Sequence, residues 1–76
     1  MDAKEKIKKF LSRFFRNHEI SDDEDIFELG FINSLFAMQL VIFIEKEFGI
    51  VIGNEDLELD NFRTINSIVN LINSRL

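Results

Sequence analysis

The chain has 76 residues, with 9 Lys and Arg against 14 Asp and Glu, and its net charge is −5. This length suits one domain, which we place at residues 1–76. The absence of Cys and the single His18 exclude disulfides, thiolate metal sites and a Cys nucleophile, and leave little material for a Ser-His-Asp triad. No apolar run approaches the roughly 18 residues of a membrane span. We therefore expect a cytoplasmic protein that is not an enzyme and does not bind membranes.

Charge is distributed unevenly along the chain. Residues 1–17 carry a net charge of +4, whereas residues 18–60 hold twelve acidic residues against Lys46 alone. Such an acidic stretch would repel the phosphates of nucleic acid, so we expect no nucleic-acid partner. It favours a basic protein partner, or it is simply solvated surface.

The first predicted helix covers residues 3–17, with Asp2 as its N-cap. Apolar residues recur at the spacing of one helix face, and basic residues fill the opposite face. This pattern favours a helix of a bundle over one lying on a membrane, because the apolar stripe is moderate and lacks Trp. The stripe consists of Ile7, Phe10, Leu11, Phe14 and Phe15.

Residues 18–33 form a long connection, and loops of this length in small domains are uncommon and often functional. The acidic run Asp22–Asp25 is expected to be exposed and solvated. It does not fit the pattern of an EF-hand, so no metal site is predicted, although loose divalent binding stays open. His18, just beyond the first helix, is expected to act as a favourable C-terminal cation. The side chains expected to hold the loop on the core are Ile20, Ile26, Phe27, Leu29 and Ile32.

The second predicted helix covers residues 34–48, with Asn33 or Ser34 as the N-cap and Gly49 as the stop. A strand at residues 41–44 is the competing interpretation, but the length and the signals at both ends favour a helix. Gln39 is the only polar residue within 35–44. We expect Ala37, Leu40, Val41, Ile44 and Phe48 to face inward, Phe36, Gln39 and Phe43 to face outward, and Leu35, Met38 and Ile42 to lie at the edges.

The sequence of the C-terminal third predicts a short helix followed by a longer final helix. Ile50 and Ile52 should point inward, and turn residues follow at Gly53 and Asn54. Thr64 is the expected N-cap of the last helix, whose apolar stripe is Ile65, Ile68, Val69, Ile72 and Leu76. The fold class is therefore all-α: a four-helix bundle with three main helices, one short helix and a long loop between helices one and two.

The segment Gly30-Phe31-Ile32-Asn33-Ser34-Leu35 places a serine at the start of an apolar helix after an acidic loop. Here the chain resembles the acyl carrier protein family, which includes peptidyl and D-alanyl carriers. The resemblance extends through "DIFELG", "NSLFAMQLVIFIEKEFGI" and "DLELDNFRTINSIVNLI". It implies that Ser34 carries 4′-phosphopantetheine from coenzyme A, whose thiol holds an acyl or aminoacyl group. It also implies three partners: a phosphopantetheinyl transferase, a loading enzyme and a downstream synthase or transferase.

Three departures from the family pattern refine this expectation. Asn33 stands where most such carriers have Asp, and Gly30 lies four residues before Ser34, a spacing similar to that of D-alanyl carriers and of some stand-alone carriers. The second helix is acidic only at Glu45 and Glu47, unlike that of fatty-acid carriers. The chain is thus similar to a discrete carrier for a dedicated pathway, such as polyketide or nonribosomal-peptide assembly.

The expected partner surface lies along the second helix, rimmed by its acidic residues and by the loop acids. Its residues are Asn33, Leu35, Phe36, Met38, Gln39, Ile42, Glu45 and Glu47. We expect the chain to be a monomer. Two other functions stay open: an unmodified helical adaptor that binds a protein through the apolar face of helix two, and an acidic calcium-responsive module.

Overall fold

The computed structural model describes residues 2–15, 19–29 and 34–76. Its α-helices are α1 (Ala3–Ser12), α2 (Ser34–Phe48), α3 (Leu59–Phe62) and α4 (Ile65–Arg75), with 3-10 turns at Ile26–Leu29 and Asn54–Asp56. No strand occurs within these described ranges. The all-α prediction of three main helices and one short helix is confirmed. Both α1 and α3 pack against α4.

Helix α1 begins where the sequence predicts it and ends earlier than expected. The Asp2 carboxylate accepts a hydrogen bond of 2.9 Å from the Glu5 backbone N–H, which confirms it as the N-cap. The regular helix ends at Ser12 because the next two N–H groups bond to carbonyls only three residues back, at Phe10 and Leu11. Phe14 consequently lies beyond the helix and is 40% exposed, whereas Phe15 is buried.

Helix α2 has the predicted bounds, and the competing strand is wrong. Gly49 ends the helix with a φ of 65°, a left-handed conformation that suits glycine, and its N–H donates to the Glu45 carbonyl at 3.0 Å. Since α2 begins at Ser34, the capping position falls on Asn33, which lies outside the described residues. The expectation for Asn33 therefore stays a prediction.

The predicted facing of α2 is wrong at several positions. Phe36, expected to face outward, is 5% exposed and packs against the aromatic rings of Phe10, Phe14 and Phe15. Ala37, expected inside, is exposed. Leu40 and Ile44 are buried as expected. The buried side of α2 is rotated relative to the prediction. Phenylalanine rings in and just after α1 pack against Phe36, and Phe43 is partly buried against the same core.

The core contains residues of α1, of the connection before α2, of α2 itself and of the C-terminal third, as predicted. Ile20 and Ile26 are buried and the Ile26 N–H donates to the Arg63 carbonyl at 2.9 Å, which ties the connection to the α3–α4 joint. Phe27 is half-buried. The predictions for His18, Ile32 and the Leu29 side chain lie outside what the structure describes.

The C-terminal third follows the prediction except at its last apolar position. Ile50 and Ile52 are buried, and the Thr64 hydroxyl accepts from the Ser67 N–H at 3.0 Å, which confirms the cap of α4. Leu76 is exposed instead of continuing the stripe, because α4 ends at Arg75. Leu71 is buried in its place on the inward side.

Candidate functional site

Ser34 is the first residue of α2, a helix of 15 residues. The first N–H groups of a helix have no partner within the helix, and the helix dipole places partial positive charge at this end. An anionic group attached at Ser34 would therefore meet favourable charge. Gly30, Phe31, Ile32 and Asn33 lie outside the described residues.

An exposed apolar stripe follows Ser34 along α2. Leu35, Met38 and Ile42 are 65%, 62% and 51% exposed, and Gln39 is exposed beside them. Leaving three large apolar side chains in water on one helix face is typical of an interaction surface. The sequence placed these three at the edges of the outward side of α2, whereas they are its most exposed large apolar residues. Phe36, buried in the core, offers no surface to a partner.

An apolar cleft with a volume of about 190 Å³ lies on the other flank of α2, facing α3 and the 3-10 turn before α2. Its walls come from Ala37 and Val41 of α2, from Leu57 and Leu59 at the start of α3, and from Ile26. The exposed Leu57 and Leu59 form an outer rim. The residues that line this cleft could not be predicted from the sequence, because they lie in segments far apart along the chain.

Two carboxylates of the acidic run, Asp22 and Asp25, form ion pairs with basic residues elsewhere in the chain. The Asp22 carboxylate contacts the ammonium groups of Lys4 and Lys8, each at 2.9 Å, and the Asp25 carboxylate contacts Arg63 at 3.1 Å. The hydrogen bonds from Lys8 and then Lys4 lower the pKa of Asp22, and the Asp22 carboxylate raises the pKa of Lys8. Asp23 is exposed as expected, but the expectation is wrong for Asp22 and Asp25, because Lys4 and Lys8 of α1 and Arg63, just after α3, lie within reach.

Both acidic residues expected to rim the docking surface also have intramolecular partners. The Glu45 carboxylate accepts from the Ile52 N–H at 2.9 Å, and Glu47 forms an ion pair with Lys6 at 3.3 Å. The charge of Glu47 is therefore partly neutralised by Lys6, whereas Glu45 keeps its charge and is oriented by a neutral donor.

Asp56, just before α3, has a buried carboxylate that was not predicted from the sequence. Asp56 accepts from the Gly53 N–H at 3.2 Å and forms an ion pair with Arg75 of α4, and its backbone carbonyl accepts from the Asn61 amide at 2.9 Å. The Arg75 guanidinium, acting with the Gly53 N–H, lowers the pKa of Asp56. Gly53 followed three residues later by an acid was the available signal.

Within the described ranges, no three side chains of ligand type cluster in a way that could hold a metal ion. No helix formed by the same residues has the length and hydrophobicity needed to cross a bilayer.

The residues present fit a phosphopantetheine group. A phosphate ester requires a hydroxyl acceptor, and Ser34 supplies one at the end of α2 that favours anions. The exposed stripe of Leu35, Met38 and Ile42 follows Ser34 along the same helix. The bound group supplies a thiol at the end of a flexible arm, which a chain without Cys cannot provide.

Comparison with known proteins matches residues 4–72 to the family described as "Phosphopantetheine attachment site". The chain is 30% identical over 71 residues to the D-alanyl carrier protein of Streptococcus mutans serotype c, a match covering 91% of this chain and 89% of that protein. The same coverage holds for D-alanyl carrier proteins of Streptococcus suis, at 28% identity, and Streptococcus thermophilus, at 30%. The chain therefore belongs to the phosphopantetheine attachment site family, as a non-catalytic acyl or aminoacyl carrier with covalently attached 4′-phosphopantetheine.

Proposed function

We propose that Ser34 is the attachment residue and that the arm presents its thioester cargo to enzymes docked on Leu35, Met38, Gln39 and Ile42. The position of Ser34 as the first residue of α2 carries this proposal. A phosphopantetheinyl transferase would install the arm, a loading enzyme would charge it, and a downstream synthase or transferase would receive the cargo. We propose that the carrier works as a monomer in the cytoplasm.

For the cargo, we propose an aminoacyl group, with D-alanyl as the first candidate. The similarity to D-alanyl carrier proteins supports this choice, as does the spacing of four residues from Gly30 to Ser34. The second candidate is an acyl unit for polyketide or nonribosomal-peptide assembly. The scarcity of acidic residues along α2 supports the second candidate, because it sets this chain apart from fatty-acid carriers.

Intact mass spectrometry tests the attachment site. The wild-type chain, incubated with coenzyme A and a broad-specificity phosphopantetheinyl transferase, should gain the mass of one phosphopantetheine. Ser34→Ala should gain none, while Ser12→Ala, a serine on α1, should load like the wild type. Ser34→Ala should change the free energy of unfolding by no more than about 0.5 kcal/mol, because Ser34 follows the capping position. Modification of Ser34→Ala would show that the arm is attached elsewhere.

Loading assays on the modified chain then separate the two cargos. A D-alanine-charging enzyme should form a thioester that is cleaved by neutral hydroxylamine and is absent from Ser34→Ala. Charging with polyketide or peptide precursors, but not with D-alanine, would select the second candidate. A wild-type chain that never accepts the arm would leave the unmodified adaptor as the function.

Asn33→Asp tests the departure from the family pattern. Both residues cap helices well, so the variant should stay folded and accept the arm. We expect a changed loading rate, because the added carboxylate would lie beside the acceptor hydroxyl. A loss of helical circular dichroism would instead show that Asn33 makes a contact required by the fold.

A further inference from the structure

Internal ion pairs change the charge that α1 and α2 present to a partner. Glu47 is paired with Lys6, and Asp22 is paired with both Lys4 and Lys8. Lys9 and Arg13 are exposed, and neither has an ion pair with any residue in the described ranges. The free charge beside α2 on its α1 side is therefore positive, although the whole chain has a net charge of −5.

These two cations border a groove between α1 and α2 with a volume of about 180 Å³. The groove is lined by Lys6, Lys9, Phe10, Arg13, Phe43 and Glu47, and we call it the α1–α2 groove. The rings of Phe10 and Phe43 stack with centroids 4.4 Å apart and form an aromatic floor. Phe14, 40% exposed, extends the aromatic surface from α1.

We propose that the α1–α2 groove binds a segment of a partner protein in which carboxylates alternate with apolar side chains. Apolar side chains would cover the half-buried ring of Phe43, which stacks on Phe10, and the carboxylates would pair with Lys9 and Arg13. Charge complementarity carries the choice of occupant, because it orients partners and speeds their association. This inference rests on the proposed function for the premise that enzymes dock on the chain, and it adds a second contact surface to the stripe on α2.

Two other occupants fit the observations less well. A nucleic acid would meet two free cations on a chain whose net charge is −5, and its phosphates would be repelled at longer range. An anionic membrane would require the apolar face of α1, but Ile7, Phe10 and Leu11 are buried in the core.

Nuclear magnetic resonance titration of the full, ¹⁵N-labelled chain tests the proposal without an identified partner. The probe is a short synthetic peptide in which Glu alternates with Leu and Phe, and the matched peptide has Lys in place of every Glu. The acidic peptide should shift the backbone amides of residues 9–14 and 39–43, and its affinity should fall with added salt. The Lys peptide should leave these amides in place.

Two variants with the same net charge provide the control. Lys9→Gln/Arg13→Gln removes both free cations, and Asn70→Glu/Asn73→Glu adds two charges on the exposed side of α4, so each lowers the net charge by two. We expect the first variant to bind the acidic peptide about three- to tenfold more weakly than the second, since exposed ion pairs contribute modestly. Equal affinities would overturn the proposal, as would stronger binding of the Lys peptide.

Two further arms separate this inference from the attachment site. Ser34→Ala should bind the acidic peptide like the wild type, so failure of the titration leaves the proposed attachment at Ser34 intact. Conversely, a chain that is never modified can still show the groove contact. A single-stranded oligothymidylate that shifts the same amides more strongly than the peptide would identify a nucleic-acid site and overturn the proposal.

Discussion

The two sides of α2 have similar hydrophobicity and opposite surroundings. Phe36, Leu40 and Ile44 lie in the core, while Leu35, Met38 and Ile42 lie in water on the other side of the same helix. Burying a side chain of this size stabilises a protein by roughly 1.5–3 kcal/mol, so only the inward side contributes substantially to folding. The outward side leaves that free energy unused within the chain, so it can contribute to binding a partner.

The largest expected effect is the loss of stability on truncating the inward side. Phe36→Ala should lower the free energy of unfolding by about 3–5 kcal/mol, because it removes a ring that contacts three other phenylalanines. Met38→Ala should lower it by no more than about 0.5 kcal/mol. Denaturant unfolding of both variants measures the difference. Similar losses would mean that the two sides of α2 are not distinct.

The outward side should instead show its effect in partner contact. Met38→Glu should keep the thermal midpoint close to that of the wild type, because the side chain stays in water. It should lower the kcat/KM of a transferase or loading enzyme by about tenfold, equivalent to about 1.4 kcal/mol. Asn70→Glu, an added charge on α4, controls for the change in net charge. Unchanged kinetics for Met38→Glu would place docking elsewhere.

Gly49 determines how the chain leaves α2 and returns Ile50 to the inward side. Gly49→Ala should lower the free energy of unfolding by about 1 kcal/mol, because a side chain disfavours its left-handed conformation. Nothing lies within 4 Å of the added Cβ, so the cost comes from the backbone conformation of residue 49 and not from contact with other residues. Gly49→Asn should cost less, since Asn tolerates this region. A much larger loss for Gly49→Ala would reveal a packing role.

The smallest expected effect concerns Asp22, which holds the connection against α1. Its lowered pKa means that its carboxylate stabilises the fold above a pH of about 3.9, and that this contribution disappears as the pH falls through the lowered value. Asp22→Asn should therefore melt at a lower temperature than the wild type near neutral pH, and the two should converge in acid. A difference in melting temperature that persisted in acid would show that the loss comes from the altered side chain and not from its charge.

Local signals in the sequence predicted where the long helices begin and where α2 ends, although α1 ends earlier than expected. Asp2 and Thr64 act as caps and Gly49 stops α2, because each effect depends on residues three or four positions away. The facing of α2 could not be read from the sequence, because a helix that is apolar on all sides has no periodic pattern. The contacts of the acidic run were equally hidden, since Asp22 and Asp25 pair with residues 18 and 38 positions away.

The ring contacts between α1 and α2 also determine which spectroscopic signals the protein can give. The stacked rings of Phe10 and Phe43 join the two helices directly, and the edge-to-face pair of Phe14 and Phe36 joins α2 to the turn just after α1. The ring currents of these phenylalanines shift the nuclear magnetic resonance signals of nearby methyl groups. Because the chain has no Trp or Tyr, its ultraviolet absorption and emission are weak. A single Phe14→Trp replacement would thus give an emission signal from the α1–α2 junction alone, on a nearly dark background.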